Sequence, residues 1–231
     1  MEPDTYVVVG GGSNAVQDFL TSRTEAVSVI RLLRRPVDRS NPNWVDVFSV
    51  DEMEAALEST STKQSGALRI GLLLAAAKTQ DKLLIQESRE EIESQLHSNV
   101  LVHLEAIRGV LPLMVRSRFG RIVGLSSFRS RIPTRGTTVY GASKAFLEML
   151  LKGIAVEYGR FNITTCSLRM GYFEGGLLER MPDDTVRFAT STSALGRLGN
   201  QVDLSAAIDF AMSNEFLSGG VLELAGALDF G

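Results

Sequence analysis

Tyr6-Val-Val-Val-Gly-Gly-Gly-Ser-Asn-Ala15 passes from an unbroken apolar run into three glycines and then into an amphipathic stretch near 13 to 22. A strand buried on both faces reads as a continuous apolar run, and glycine frees the backbone for a tight turn into a helix. Gly10, Gly12 and Ala15 satisfy G-x-G-x-x-A, a spacing that lets main-chain amides at a helix N-terminus approach a pyrophosphate. Gly10, Gly12, Ser13 and Asn14 are therefore candidate cofactor contacts. The same turn with no nucleotide is the alternative, because short glycine motifs recur by chance.

Outward from this turn, short apolar runs alternate with amphipathic stretches along the chain. Strands are predicted near 6 to 10, 27 to 33, 45 to 48, 69 to 75, 120 to 126, 162 to 168 and 220 to 225. Helices are predicted near 13 to 22, 51 to 59, 88 to 118 with a break at Pro112, 138 to 159, 175 to 181 and 202 to 213. Strands alternating with helices predict a Rossmann-like α/β fold: a doubly wound parallel sheet of about seven strands with helices on both faces. Its ligands are expected at the carboxyl ends of the strands, where Gly10 and Ser127 both fall. A length of 231 residues, 44% of them hydrophobic, suits one domain spanning 1 to 231 with one sizeable core.

The net charge of -3 is modest and the basic residues are dispersed apart from Arg31, Arg34 and Arg35, so no nucleic-acid partner is indicated. The lone Cys166 excludes an intramolecular disulfide framework and reads as a strand core residue. His97 and His103 lie six apart with no completing Cys or carboxylate cluster, so no metal site is expected; both read as solvated or interface residues. The acidic start leads straight into a strand, with no signal peptide and no apolar span of 18 residues, so a cytoplasmic protein that engages no membrane is expected.

The chemistry concentrates in Tyr140-Gly-Ala-Ser-Lys144. Residues four apart share a helix face, so the Lys144 ammonium can sit beside the Tyr140 phenol and favour the phenolate. A hydroxyl from another element, Ser127, could then hold a substrate oxygen while the phenol exchanges its proton. A Ser-Lys hydrolase is a weaker reading, because Gly124-Leu-Ser-Ser-Phe128 lacks the final glycine of a nucleophile elbow.

Gly120-Arg-Ile-Val-Gly-Leu-Ser-Ser127, the polar loop through Pro133 and Gly136, and Tyr140-Gly-Ala-Ser-Lys144 together resemble the short-chain dehydrogenase/reductase family. The resemblance extends upstream to Glu91-Ile-Glu-Ser-Gln-Leu-His-Ser-Asn99 and downstream to Leu168-Arg-Met-Gly-Tyr172 and Leu195-Gly-Arg-Leu-Gly199. It implies a catalytic tetrad of Asn99, Ser127, Tyr140 and Lys144 and hydride transfer between a nicotinamide and a small-molecule carbonyl or alcohol. Ser127 would polarise the oxygen and Tyr140 would protonate it. Lys144 would lower the Tyr140 pKa and hold the nicotinamide ribose, and Asn99 would position a water that relays protons.

Departures from the family pattern cluster on the nucleotide side. Asn14 and Val16 stand where its usual spacing places glycines, and Val16 is expected to crowd the packing of the helix on the first strand. Ser49 replaces an Asp that touches adenine, Ala75-Ala-Ala-Lys78 replaces Asn-Asn-Ala-Gly, and Ala225-Gly-Ala-Leu replaces a common Asp-Gly-Gly. Ala75, Tyr140 and Lys144 complete the expected cofactor contacts. Leu33-Arg34-Arg35 ends the second strand with no acid, and arginine forks suit a 2′-phosphate, so NADP(H) is favoured over NAD(H). The alternatives are a fold relative that has lost the cofactor and serves in binding, and a cofactor-using isomerase or dehydratase. Residues 171 to 193, rich in glycine and aromatics, are expected to form a mobile substrate lid. The apolar girth of the helix after Tyr140 predicts a homodimer or homotetramer packed through the helices at 88 to 118 and 138 to 159.

Overall fold

A computed structural model describes residues 2–10, 14–21, 27–34, 44–63, 67–175, 178 and 182–228. Its seven strands are β1 (Thr5–Val9), β2 (Ser28–Leu32), β3 (Trp44–Val47), β4 (Ile70–Leu74), β5 (Gly120–Ser127), β6 (Ile163–Met170) and β7 (Gly220–Leu224). All pair in parallel in the order β3-β2-β1-β4-β5-β6-β7. The order reverses between β1 and β4, which opens a crevice at their carboxyl ends.

Alternation along each strand builds two cores. Val7, Val9, Ile70, Leu72 and Leu74 face one layer, where they meet Met53 and Leu57 of α2 (Val50–Lys63), Ala106, Val110 and Met114 of α4 (Val102–Ser117), and Leu147 and Leu151 of α5 (Thr138–Tyr158). Tyr6, Val8, Leu73, Val123 and Cys166 face the other, against Val16, Phe19 and Leu20 of α1 (Asn14–Thr21) and Leu204, Ile208 and Met212 of α7 (Gln201–Ser213). Each such side chain fully buried contributes about 1.5–3 kcal/mol, which is why the β1 and β4 sequences carry no polar alternation.

Val16 does not keep α1 from packing on β1. It is buried in the α1 layer beside Tyr6 and Val8, so its branched side chain fills core. Arg31 and Arg34, neighbours in the sequence, lie in different settings. Arg31 points into the sheet, stacks 4.3 Å from the Trp44 ring centroid and grips Asp46 through Nε (2.6 Å) and Nη2 (2.7 Å). Arg34 is exposed, and Arg35 lies outside the described residues.

The expected break at Pro112 is absent, since α4 runs through that residue. The irregularity comes earlier. Helix α3 (Arg89–Leu96) and α4 are joined by a π-helical turn, His97–Leu101, in which the Val102 amide donates to the His97 carbonyl. Proline's missing donor and ring clash are tolerated within α4, whereas the extra residue of a π turn re-aims Asn99. The run Arg89–Ser117 is also long and apolar enough to cross a bilayer by length and composition, contrary to the sequence expectation. Here it is a layer helix whose Ala106, Ile107, Val110 and Met114 are buried in the domain.

The helix expected near 175 to 181 falls largely outside the described residues; the helix found in this region is α6 (Asp183–Ser191).

Candidate active site

Ser127 ends β5, and a single 3-10 turn, Phe128–Ser130, follows it. The Arg129 amide donates to the Ser127 hydroxyl oxygen at 3.3 Å, which fixes the serine at the strand exit. Helix α5 then returns beneath this turn. The close approach depends on Gly141, where a Cβ would stand 2.7 Å from the Arg129 carbonyl oxygen. Tyr140 and Lys144 share one face of α5, with the Lys144 Nζ 5.7 Å from the Tyr140 ring centroid.

These groups are nearly sealed: Ser127 is 7%, Tyr140 6% and Lys144 1% exposed. The Lys144 Nζ donates to the carbonyl oxygens of Leu125 (2.9 Å) and Ala76 (3.5 Å), so one ammonium ties the exits of β5 and β4 together. Burial lowers its pKa to about 8. Burial also pushes the Tyr140 phenol above its ordinary value, against the pull of the Arg129 charge and the Ser127 hydroxyl, with the Asp81 carboxylate adding to the rise. The expected depression of the phenol by Lys144 is therefore not what this geometry gives. Desolvation acts on both groups and favours the neutral form of each.

Asn99 sits in the π turn and is fully buried. Its amide is spent in both directions on one residue, accepting from the Lys78 amide (2.7 Å) and donating to the Lys78 carbonyl (2.8 Å). The Asn99 side chain thus pins the loop that leaves β4. One turn on, His103 is buried, not solvated. Burial, with the Lys144 charge adding to it, outweighs the Asn99 backbone hydrogen bond and lowers its pKa to about 3.

Sequence reasoning missed the support behind Ser127. Glu148 accepts from Ser126 Oγ (2.6 Å), Ser130 Oγ (2.6 Å) and Arg169 Nη2 (2.7 Å). Burial works against its charge, but the hydrogen bonds from Arg169, Ser126 and Ser130 prevail and hold the carboxyl below its ordinary pKa. A signal was present: Glu148 follows Lys144 by four residues and so shares its helix face. Cys166 is core as expected, and burial raises its thiol pKa to about 11.

A cavity of about 380 Å³ opens beside this cluster at the topological reversal, lined by Gly10, Leu33, Arg34, Phe48, Ala76 and His97 among others. Gly10 has φ +79°, and a Cβ there would lie 2.4 Å from the Ala76 Cα, so only glycine lets the exits of β1 and β4 meet. The Ala75 amide is committed to the Val9 carbonyl at 2.8 Å, and Ala76 and Ala77 line the cavity in its place. Asn14 is the first residue of α1, while Gly12 and Ser13 lie outside the described residues. Ser49 caps α2: its hydroxyl accepts from the Glu52 amide (3.2 Å), and the Glu52 carboxylate accepts from the Phe48 amide (2.7 Å). Its place is thus explained by the helix it starts.

Residues 20–225 match the family model described as Enoyl-(Acyl carrier protein) reductase. The chain belongs to the short-chain dehydrogenase/reductase family. Curated relatives of this short-chain dehydrogenase/reductase include the 3-oxoacyl-[acyl-carrier-protein] reductase FabG of Thermotoga maritima, 28% identical over 81% of this chain and 76% of the relative. The enzyme of the same name from Vibrio harveyi is 27% identical over 94% of this chain and 83% of its own. Among solved structures, "ElxO with NADP Bound" superposes with a TM-score of 0.84 at 19% identity, covering 98% of each chain. A short-chain type dehydrogenase/reductase from Mycobacterium ulcerans gives 0.83 at 22% identity, covering 98% of this chain and 90% of the other. At these identities the superpositions establish a shared fold.

Proposed function

We propose that this chain is an NADP(H)-dependent oxidoreductase that reduces a ketone, or oxidises the matching alcohol, with Tyr140 as the acid and base. The observation that carries the reading is the gathering of Ser127, Tyr140 and Lys144 at the exit of β5, beside a cavity at the sheet's reversal point. The residues present fit a dinucleotide. Gly10 and the main chain of Ala76 and Ala77 offer a close-approach wall, and the exposed Arg34 offers a cation for a 2′-phosphate. When bound, the nicotinamide supplies the hydride. A relative named as a reductase and a neighbour bound to NADP support the same direction.

The chain's own residues account for the proton. The Ser127 hydroxyl holds the carbonyl oxygen, and the Tyr140 Oη donates its proton as that oxygen gains charge. A phenol whose pKa is raised by burial stays protonated until that moment, as reduction requires. Lys144 holds the β4 and β5 exits in register and keeps its ammonium 5.7 Å from the Tyr140 ring centroid, while the phenol regains its proton from solvent after turnover. Asn99 acts on the site through the Lys78 loop. Residues 171 to 193, of which 176, 177 and 179–181 lie outside the described residues, would serve as the substrate lid, and the Tyr172 ring centroid is 5.1 Å from that of Phe128. Exposed Leu101 on the turn before α4 and exposed Phe146, Met149 and Val156 on α5 give two copies of the chain an apolar face to share. A cytoplasmic setting goes with this reading.

A second reading, a binding protein without hydride chemistry, is favoured by one observation: the family match begins at residue 20 and leaves out β1 and the glycine turn. Fluorescence titration with NADPH and NADH separates the two. NADPH binding tighter than NADH, followed by steady NADPH oxidation with a ketone panel, is the outcome expected of the reductase. No saturable binding at concentrations on the order of hundreds of micromolar supports the binding protein. Binding and turnover of a substrate without net NADPH oxidation identifies an isomerase or dehydratase.

A further inference from the structure

Helix α5 carries Tyr140 and Lys144, and one further turn along the same face stands Glu148. Its carboxylate closes on the turn that bears Ser127 from both sides. The Ser126 hydroxyl precedes that serine and donates to Glu148 Oε1 at 2.6 Å; the Ser130 hydroxyl follows it and donates to the same oxygen at 2.6 Å. Arg169 completes the clamp, its Nη2 2.7 Å from Glu148 Oε2 and its Nε 3.1 Å from Oε1 and 3.2 Å from the Ser130 hydroxyl oxygen. A second run of charge returns to the same turn, because Arg169 also reaches Glu223 of β7 (3.4 Å), which Arg131 approaches at 3.8 Å. The side chains of Glu148 and Arg169 are only 13% and 15% exposed, so solvent screens the pair little and it holds one geometry.

Between the two gripped serines, the Arg129 amide donates to the Ser127 hydroxyl oxygen at 3.3 Å. An oxygen that accepts from the turn leaves its own hydrogen to point away from it, so the path of the turn decides where the Ser127 proton is offered. We propose that Glu148 is a positioning residue of the reaction: by gripping Ser126 and Ser130 it fixes the Ser127 hydroxyl relative to the Tyr140 phenol. The proposal rests on the reductase reading. One rigid helix then sets both partners of the carbonyl oxygen, the phenol directly and the serine through a carboxylate eight residues on. A displacement of about 1 Å at such a group can cost ~10²-fold in rate, whereas the cavity at the sheet's reversal point shares no lining residue with the clamp. The loss therefore falls on the chemical step and spares NADPH affinity.

The test is a double-mutant cycle read by single-turnover NADPH oxidation with the ketone panel. Glu148→Ala should lower the rate about 30-fold and leave the NADPH dissociation constant within about twofold. Glu148→Gln keeps an oxygen for both hydroxyls and should lose only about threefold. With Ser127→Ala already in place, Glu148→Ala should change the residual rate by less than about twofold, whereas a part that merely stabilises the fold costs the same in either background. Hydrogen exchange at the Arg129, Arg131 and Ile132 amides, all bonded within the turn, should quicken about tenfold or more in Glu148→Ala. If that variant folds poorly, Ser130→Ala leaves the Glu148–Arg169 pair whole and should show the same pattern with a loss of about threefold. An unchanged rate, equal losses with and without the Ser127 hydroxyl, or unaltered exchange in the turn overturns the assignment. A wild-type chain that oxidises no NADPH overturns the reductase reading, and exchange alone then decides whether Glu148 holds Ser127 in place.

Discussion

The exits of β5 and β1 flank the same central strand, β4, yet they present opposite kinds of surface. At β5 the candidate site is built of side chains: Ser127, Tyr140 and Lys144, backed by the Glu148–Arg169 pair. At β1 the candidate site is built of main chain, where Gly10 lets two strand ends touch and Ala76 and Ala77 line the cavity, with Arg34 the exposed cation at its rim. A site made of side chains is lost with any one of them. A site made of backbone survives changes of residue that preserve its path, so Val16 can be absorbed into core without entering the groove.

Four experiments press on this contrast. The largest effect is expected on the side-chain half: Tyr140→Phe should lower kcat/KM for carbonyl reduction by about 10³-fold while leaving NADPH affinity within about threefold, measured by steady-state kinetics and fluorescence titration. Comparable losses of both would place the tyrosine in binding instead. On the backbone half, Gly10→Ala should cost about 2–3 kcal/mol of stability in urea, since the new Cβ meets Ala76 and the residue must hold positive φ. A neutral result there would mean that β1 and β4 can part.

His103 sharpens the side-chain half through pH. Its folded pKa of about 3 lies below the ordinary value of 6.5, so the unfolded chain takes up the proton first as pH falls. Stability from this group is full above about pH 6.5 and wanes toward pH 3, with a loss of ~2 kcal/mol between pH 8 and 5. His103→Phe should remove that part of the acid sensitivity in denaturation curves at the two pH values; identical pH dependence in the two proteins would show that the imidazole is hydrated. The smallest effect belongs to Arg34→Ala, expected to weaken NADPH binding about tenfold and leave NADH unchanged. Equal losses for both cofactors would move the phosphate contact elsewhere.

How much of this was legible follows the same divide. Strand positions could be read because β1 and β4 bury both faces, which forces nearly continuous apolar runs. The Tyr140 and Lys144 pair could be read because helical spacing alone sets their common face. The Glu148 network depends on Arg169 arriving from another strand, and no local pattern records that meeting. The phenol's pKa was expected to fall because charge was weighed and burial was not; desolvation is a property of the assembled fold. Ser49 also starts a helix, a role that the nearby Glu52 already marked in the sequence.

The π turn at His97–Leu101 also constrains how this chain can vary. One additional residue in a helix offsets everything before it by about 100° relative to everything after it. Because of that offset, Ser94 and Glu91 upstream can meet Lys78 and Lys82 while Ala106 and Val110 downstream stay turned toward the sheet. A single-codon deletion within these five positions would restore ideal winding and force the protein to give up one of the two docked faces.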